Sequence, residues 1–480
     1  MNNLIKKALE NFDNDIFCMY NDLSLTYGDI AVFCKKVEYM VAENQVVYSF
    51  LDRSVESVLS LISTFYTNNV FCPISLQWNE EKILNMLTTF GGKYLFVSES
   101  TLGVIENIIE KNELQMTIFV ILGTNIKVVH KSAGNYESVI PPNVGYIYST
   151  SGSTGPSKCV LGRRDSLKRF LQWEINAFCI DNKRIFCNMT KPTFDPYLRD
   201  ILVPFVVGAK IYIPNVSVVL NTFALREKII ETGVTDIHLV PSMFRKINLI
   251  GTSVKNVYLA GEVLYGNDIA NYTKEDIKIV NLYGPTETTL AKFFHICDEH
   301  DIGKNILPVG KPIDDSIYYI KDGEIVIETK WGSKGYFDCE SDDFVNLDDN
   351  MIRYFTKDRG HIDENGNLIV LGRVNDSTKL FGEKIDIGAI AESILECECI
   401  KECLIVGVNN GTRSYLLVSI GSPISASDVR LAALDKLKKD DIQIVPMKFY
   451  VVEELPKNEN GKIDRRRIMQ AHMKSSLGDK

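Results

Sequence analysis

The chain has 480 residues, a formal net charge of -9, 45% apolar and 24% charged residues. That acidic balance carries no electrostatic footprint for nucleic acid, and no stretch approaches the ~20 apolar residues of a membrane helix. The first residues, MNNLIKKALENFDND, hold no apolar core of signal-peptide length, so the eleven scattered cysteines read as reduced thiols of a cytoplasmic protein.

The first two-thirds of the chain alternates strand and helix signals. Val46 to Phe50 reads as a strand. Val55, Val58, Leu59, Ile62 and Phe65 then recur at helical spacing, with Ser54 as the cap. Val70 to Ile74 is a strand that proline ends. Further strands are expected at 93–98, 116–122, 144–150, 184–189, 235–240, 256–260 and 277–282. Alternation of this kind implies parallel sheets with helices on their faces.

Near Gly372 the texture changes, and LGRVNDSTKLFGEK is polar and broken. A helix at about 387–396, strands at 403–408 and 414–419, a helix near 427–438 and a strand at 448–452 follow. A small α+β domain of about 100 residues fits this tail. Cys397, Cys399 and Cys403 cluster there, but no histidine lies nearby and no second pair completes a tetrahedral set, so packing is expected.

The strongest local signal is YIYSTSGSTGPSKCV, Tyr146 to Val160. An apolar strand runs into Ser151, Gly152, Ser153, Thr154 and Gly155, with Lys158 close behind. Small residues let backbone N–H groups approach an anion, hydroxyls add donors, and the lysine adds charge, which suits a phosphate cradle. The spacing is not the Walker pattern. Taken alone, the segment is equally a Ser/Gly surface loop. A decoy follows in Arg164-Asp165-Ser166-Leu167, where helix capping by Asp or Ser is the better reading.

Other motifs follow in order. They are Asn281-Leu282-Tyr283-Gly284-Pro285-Thr286-Glu287-Thr288-Thr289, Asp358 in YFTKDRG, Gly372-Arg373, and Asn460-Gly461-Lys462-Ile463-Asp464. Leu25-Thr26-Tyr27-Gly28-Asp29 and the NNVFCPIS and EEKILNML stretches precede them. Together they resemble the core motifs of the adenylate-forming superfamily, which includes acyl-CoA synthetases, luciferases and adenylation domains of nonribosomal peptide synthetases. The resemblance spans almost the whole chain. It implies an α/β fold: a large N-terminal domain (1–372) of two α/β sheets plus a small barrel, a hinge (373–376), and a smaller, mobile α+β C-terminal domain (377–480).

It also implies roles. Thr150 and the 151–158 loop, with Lys158, would hold the β- and γ-phosphates of ATP. Tyr283 would stack on adenine, with Asn281 and Gly284 completing the nucleotide set. Glu287 would bind Mg²⁺, a hard cation suited to a carboxylate, and Thr286 would lie near the α-phosphate. Asp358 would accept from the ribose hydroxyls, with Arg373 beside it. Lys462 would reach the α-phosphate and the substrate carboxylate, where negative charge accumulates as both approach. A solvated basic tail with Arg465, Arg466 and Arg467 is the rival account of Lys462, and the Asn-Gly-Lys-Ile-Asp context favours the catalytic one.

Phe194-Asp195 selects the branch. In amino-acid-activating members the aspartate of this element binds the α-amino group, a charge-assisted pair; a surface Asp before Pro196 in a turn is the alternative. Ala260-Gly261-Glu262 fits the same branch. By that resemblance, side-chain selectivity positions fall on Pro196, Arg199, His238, Tyr258, Ala260, Leu282, Leu290 and Ala291. Arg199 would hold an anionic or strongly polar substrate side chain, or turn away to pair with Asp200 or a neighbour and leave a small pocket. Three positions depart from the family: Lys357 replaces a glycine, Asn375 stands at the hinge, and Phe381 replaces an arginine.

The implied activity is ATP-dependent activation of an amino acid to acyl-AMP, then transfer to a separate, stand-alone phosphopantetheinylated carrier protein. An acyl-CoA synthetase and a non-catalytic nucleotide-binding relative are the alternatives.

Overall fold

The computed structural model describes all residues except 22, 132–138, 151–157, 348–349, 374–376, 381–382, 398, 410–413, 441–445, 459–462 and 478–480. The chain divides into two units, Met1–Tyr319 with Val326–Phe355, and Ile320–Ile325 with Thr356–Lys480.

Two large sheets build the first unit. The seven-stranded sheet runs Asn125–His130, Thr117–Leu122, Tyr94–Val97, Val46–Phe50, Val70–Pro73, Val144–Thr150, Lys158–Arg163. Its central strands are parallel and buried throughout, which is why they read as continuous apolar runs rather than alternating ones. Ser54 caps the helix Val55–Tyr66, its side chain accepting from Ser57 N at 3.3 Å. In the LTYGD element Thr26 and Asp29 form a reciprocal capping box.

The nine-stranded sheet positions the site. Its parallel core is Lys278–Tyr283, Asn256–Ala260, Asp236–Leu239, Ile185–Cys187, Lys210–Tyr212 and Ile16–Tyr20. Three of these strands are in matched register: His238 pairs with Tyr258 and Tyr258 with Val280, while Ala260 pairs with Leu282. Alternation along the strands therefore places His238, Tyr258, Ala260 and Leu282 on one face, near the strands' C-terminal ends. Strands between residues 317 and 373 form a five-stranded sheet, the partial barrel.

The second unit contains the expected tail. The helix Ile387–Leu395, strands Glu402–Asn409 and Ser414–Gly421, helix Ala426–Lys439 and strand Met447–Val452 follow in order. The three strands form one sheet whose last pair is parallel. Cys397, Cys399 and Cys403 are free thiols packed against its apolar core.

One local expectation is refined. The helix Arg164–Ala177 has Arg163 at its N-cap position, and the Asp165 carboxylate satisfies a first-turn donor, accepting from Ser166 N at 2.8 Å. Asp165 lies within the first turn and accepts from Arg163 Nε at 3.0 Å and Nη2 at 2.6 Å. Ser166 instead donates to the Gly332 carbonyl at 2.9 Å. Among the described residues no helix is long and apolar enough to cross a membrane.

Candidate active site

In open α/β sheets, ligands bind beyond the carboxyl ends of the parallel strands. The segments that leave those ends here are 188–195, 240–241, 261–262 and 284–289, and most of the sequence-predicted positions lie in or beside them. Glu262 ties two of these segments together, accepting from Ser242 N at 2.8 Å and Ser242 Oγ at 3.0 Å.

Asp195 is 7% exposed and precedes the helix Pro196–Val207, with Pro196 in its first turn. It is thus a buried carboxylate rather than a surface turn residue. Tyr146 and Tyr148 feel its charge. Burial, reinforced by Asp195, pushes both phenols far above their ordinary range and keeps them protonated. Tyr148 Oη has no hydrogen-bond partner among the described residues, while the Thr289 hydroxyl acts on the Tyr146 phenol and partly opposes its shift.

Arg199 is buried and paired. Its Nε donates to Glu174 Oε2 at 3.0 Å, Nη2 donates to Glu174 Oε1, and Nη1 donates to Asp200 Oδ1 at 3.3 Å. Burial works against its charge, but Glu174 and then Asp200 more than restore it. The guanidinium lies 4.6 Å from the Tyr258 ring centroid. Across the ring's far end, Tyr258 Oη donates to Asp236 Oδ1 at 3.2 Å. His238 Nδ1 lies 3.4 Å from Asp200 Oδ1 without hydrogen-bond geometry.

The Tyr-Gly-Pro-Thr-Glu segment leaves the strand Lys278–Tyr283 and makes one 3-10 turn, Thr286–Thr288. Lys292 N donates to Tyr283 O at 2.7 Å as the chain returns. A Cβ on Gly284 would meet Leu290 O at 2.3 Å and Lys292 N at 2.6 Å, so this reversal itself demands glycine. Leu290 and Ala291 lie on the returning arm, both buried. Asn281 is spent on structure, its Nδ2 donating to Pro308 O at 2.9 Å. Tyr283 is half-buried, its ring 6.0 Å from that of Phe293.

Glu287 is 6% exposed, and its Oε1 accepts from Tyr336 Oη at 2.7 Å. Lys158 Nζ lies 4.7 Å from the Tyr336 ring centroid and donates to Ser341 Oγ at 2.9 Å. Tyr336 therefore bridges two motifs that lie 129 positions apart in the chain (287 − 158). Burial, then the Glu287 charge, holds its phenol protonated. Ser151, Gly152, Ser153, Thr154 and Gly155 lie outside the described residues. The pair that closes their hairpin is present, Thr150 Oγ1 donating to Lys158 O at 3.2 Å.

In the second unit Asp358 is the Cα partner of Arg373 across two antiparallel strands. Lys357 adopts φ 57°, the left-handed region that glycine favours. A lysine here stands where the family's pattern has a glycine, in backbone that glycine favours. Lys462 and Asn375 lie outside the described residues. Beside the former, Lys457 bridges to Ile463, and Asp464 Oδ1 accepts from Arg467 N at 3.0 Å.

Sequence reasoning missed Glu174 and Tyr336. Tyr336 leaves no local signal. Glu174 did leave one: it falls on the stripe of Leu167, Phe170 and Leu171 that the helix buries, where a charge is out of place. Away from the site, His295, Cys297 and Asp301 gather ligand atoms within 4.8 Å of one another. The Asp301 carboxylate is already taken by His295 at 2.7 Å and Lys304 at 2.7 Å, which makes the group a strut at the sheet edge.

Comparison with known proteins identifies the family. Residues 6–337 match the AMP-binding enzyme family. Zwittermicin A synthase ZmaJ of Bacillus cereus is 23% identical over 96% of this chain and 93% of its own length. Tyrocidine synthase 3 of Brevibacillus parabrevis is 22% identical over 98% of this chain, which spans only 8% of that relative. In fold, the chain resembles the anthranilate CoA ligase AuaEII, solved with anthranoyl-AMP, with a TM-score of 0.79 at 16% identity over 98% of this chain and 96% of that one. The chain belongs to the AMP-binding enzyme family and is an adenylate-forming enzyme, an ATP-using, AMP-forming ligase built like the adenylation domains of nonribosomal peptide synthases.

Proposed function

We propose that this ligase activates an amino acid, or another amine-bearing carboxylic acid, and passes it as a thioester to the phosphopantetheine arm of a separate carrier protein. One observation carries the substrate class: the Asp195 carboxylate is buried at the C-terminal edge of the large sheet. A buried carboxylate stabilises a cation placed beside it, and the ammonium of an amino acid is such a cation.

In this reading a substrate carboxylate oxygen attacks the α-phosphorus of ATP. The bond from that phosphorus to the bridging oxygen breaks, and pyrophosphate leaves. Lys158, with Thr150 and the loop 151–155, holds the departing phosphates, and Lys462 neutralises charge at the α-phosphate. Thr286 lies beside that phosphate. Tyr283 and Gly284 contact the adenine, while Asp358 and Arg373 take the ribose. Preorganised donors of this type act where charge develops.

Glu287 fits magnesium. It is an oxygen donor whose Oε1 accepts from Tyr336, and Oε2 has no hydrogen-bond partner among the described residues. When bound there, the ion would neutralise phosphate charge. The hinge at 373–376, with Asn375, lets the C-terminal domain serve adenylation and then thioester formation.

Transfer to a carrier is supported by the likeness to synthases such as tyrocidine synthase 3 and to a four-domain nonribosomal peptide synthetase solved with AMP and glycine. The test has two stages. ATP–pyrophosphate exchange should proceed with amino acids and fall sharply with their des-amino analogues. Thioester should then accumulate on a phosphopantetheinylated carrier rather than on free CoA; release of a CoA thioester would place the protein among the acyl-CoA synthetases.

A further inference from the structure

Glu174 has no part in the reading above, yet its side chain is only 1% exposed and both of its oxygens are taken by the Arg199 guanidinium. Asp200, with a side chain 3% exposed, takes the third nitrogen. Two carboxylates thus face one guanidinium on the wall where the substrate side chain is expected, beside Tyr258.

We propose that Glu174 determines specificity: by neutralising Arg199 it bars anionic side chains from the acid that is activated. The proposal rests on the amino-acid reading of the site.

A guanidinium on a pocket wall presents a fork that matches a carboxylate bidentately. Standing alone, Arg199 would select acidic amino acids. Here the protein fills that fork. An incoming carboxylate has two options. It can displace Glu174, which leaves an uncompensated charge in a dry site, the outcome that makes breaking a buried pair so unfavourable. Or it can bind beside the pair, where Glu174 and Asp200 already exceed the one positive charge. His238 Nδ1 lies 3.4 Å from Asp200 Oδ1 without hydrogen-bond geometry, so it does not take Asp200 away from the guanidinium. Repulsion of the wrong ligand is a recognised route to selectivity. Asp195 does not alter the argument, because its charge is reserved for the ammonium that every amino acid carries.

Glu174→Gln keeps the shape and one acceptor but removes the charge. In ATP–pyrophosphate exchange, wild type should use aspartate and glutamate at least about a hundredfold less efficiently than the best neutral amino acid. Glu174→Gln should raise that ratio by at least about tenfold, a difference of ~1.4 kcal/mol. Arg199→Met is the reciprocal arm: it leaves Glu174 uncompensated and should open the pocket to lysine or ornithine by a similar factor. Circular dichroism establishes which variants fold. A wild-type enzyme that prefers an acidic amino acid overturns the proposal without need of any variant. So does a folded Glu174→Gln with an unchanged ratio, while exchange with neutral amino acids persists. No exchange with any amino acid in wild type overturns the amino-acid reading, and this inference with it.

Discussion

Removing one oxygen from Tyr336 tests the assignment of Glu287. The phenol donates at 2.7 Å to Glu287 Oε1, and the carboxylate is 6% exposed, so little water is at hand to replace the lost donor. A hydrogen bond to a charged group contributes about 1.5–3 kcal/mol. Partners standing behind a metal ligand typically govern about 10–100-fold in metal affinity, which is the same range in energy. Tyr336→Phe should therefore raise the Mg²⁺ concentration for half-maximal ATP–pyrophosphate exchange by about 10–100-fold. The aromatic ring remains, so the contact with Lys158, 4.7 Å from the ring centroid, is retained. The rate at saturating Mg²⁺ should recover most of the wild-type value. The assay is exchange across a magnesium titration, with a thermal melt to verify folding. An unchanged magnesium dependence in a folded variant would refute the reasoning, because Glu287 would then not be a ligand that Tyr336 orients.

Three further outcomes are expected. Asp195→Asn should weaken amino-acid substrates by roughly 3–5 kcal/mol, the penalty of a buried charge left unpaired, and affect des-amino analogues much less; equal losses in exchange would count against the ammonium assignment. Lys462→Ala should lower adenylation by about 10²–10³ yet spare transfer from preformed acyl-AMP, and normal adenylate formation in single turnover would contradict it. Asp236 is fully buried, and desolvation raises its pKa above the usual carboxylate range despite hydrogen bonds from Thr235, Tyr258 and Asn256 and the Arg184 charge. The folded state then holds a proton that the unfolded state releases near pH 3.9. Stability should fall as pH rises through the window above about 4, and Asp236→Asn should abolish that decline. Denaturant melts across that window would sink the idea if both proteins showed the same slope.

The elements legible in the sequence were those whose cause is local. Strands such as Val46–Phe50 are buried on both faces and announce themselves as apolar runs. The helix Val55–Tyr66 is marked by its serine cap. The alternation of such elements sufficed for parallel sheets. Register was not legible, yet register is what brings His238, Tyr258, Ala260 and Leu282 to one face. Tyr336 could not be read either, because its meaning depends on Glu287 and Lys158, which only tertiary folding brings to it. Arg199 was legible as an anomaly but not in its consequence. Its partner lies 25 positions earlier on another helix, and only that pairing shows whose carboxylate fills the guanidinium fork. The exact cap position before Asp165 was not legible, because a helix N-terminus seen in sequence does not reveal which residue leaves helical geometry first.

The turn between Tyr283 and Lys292 explains why nucleotide and side-chain positions are so close in sequence. Thr289 and Leu290 both adopt positive φ, 71° and 58°. Left-handed backbone costs of order 1–3 kcal/mol at a non-glycine residue and persists only where the surroundings over-determine it. Here they do. Thr289 N donates to Thr286 O at 3.1 Å, Lys292 N donates to Tyr283 O at 2.7 Å, and Thr288 Oγ1 donates to Pro285 O at 2.9 Å. Gly284 removes the side chain that would block the return. A relaxed turn would send the chain onward after Glu287. The strained one folds it back, so that Leu290 and Ala291 descend beside Tyr283. One short segment thereby carries a carboxylate suited to a cation at its bend and two apolar walls on its return. The buried Thr289 hydroxyl lies there against the Tyr146 phenol. Strain thus falls at the bend between the proposed nucleotide and acid positions, where a substrate spanning both would have to lie.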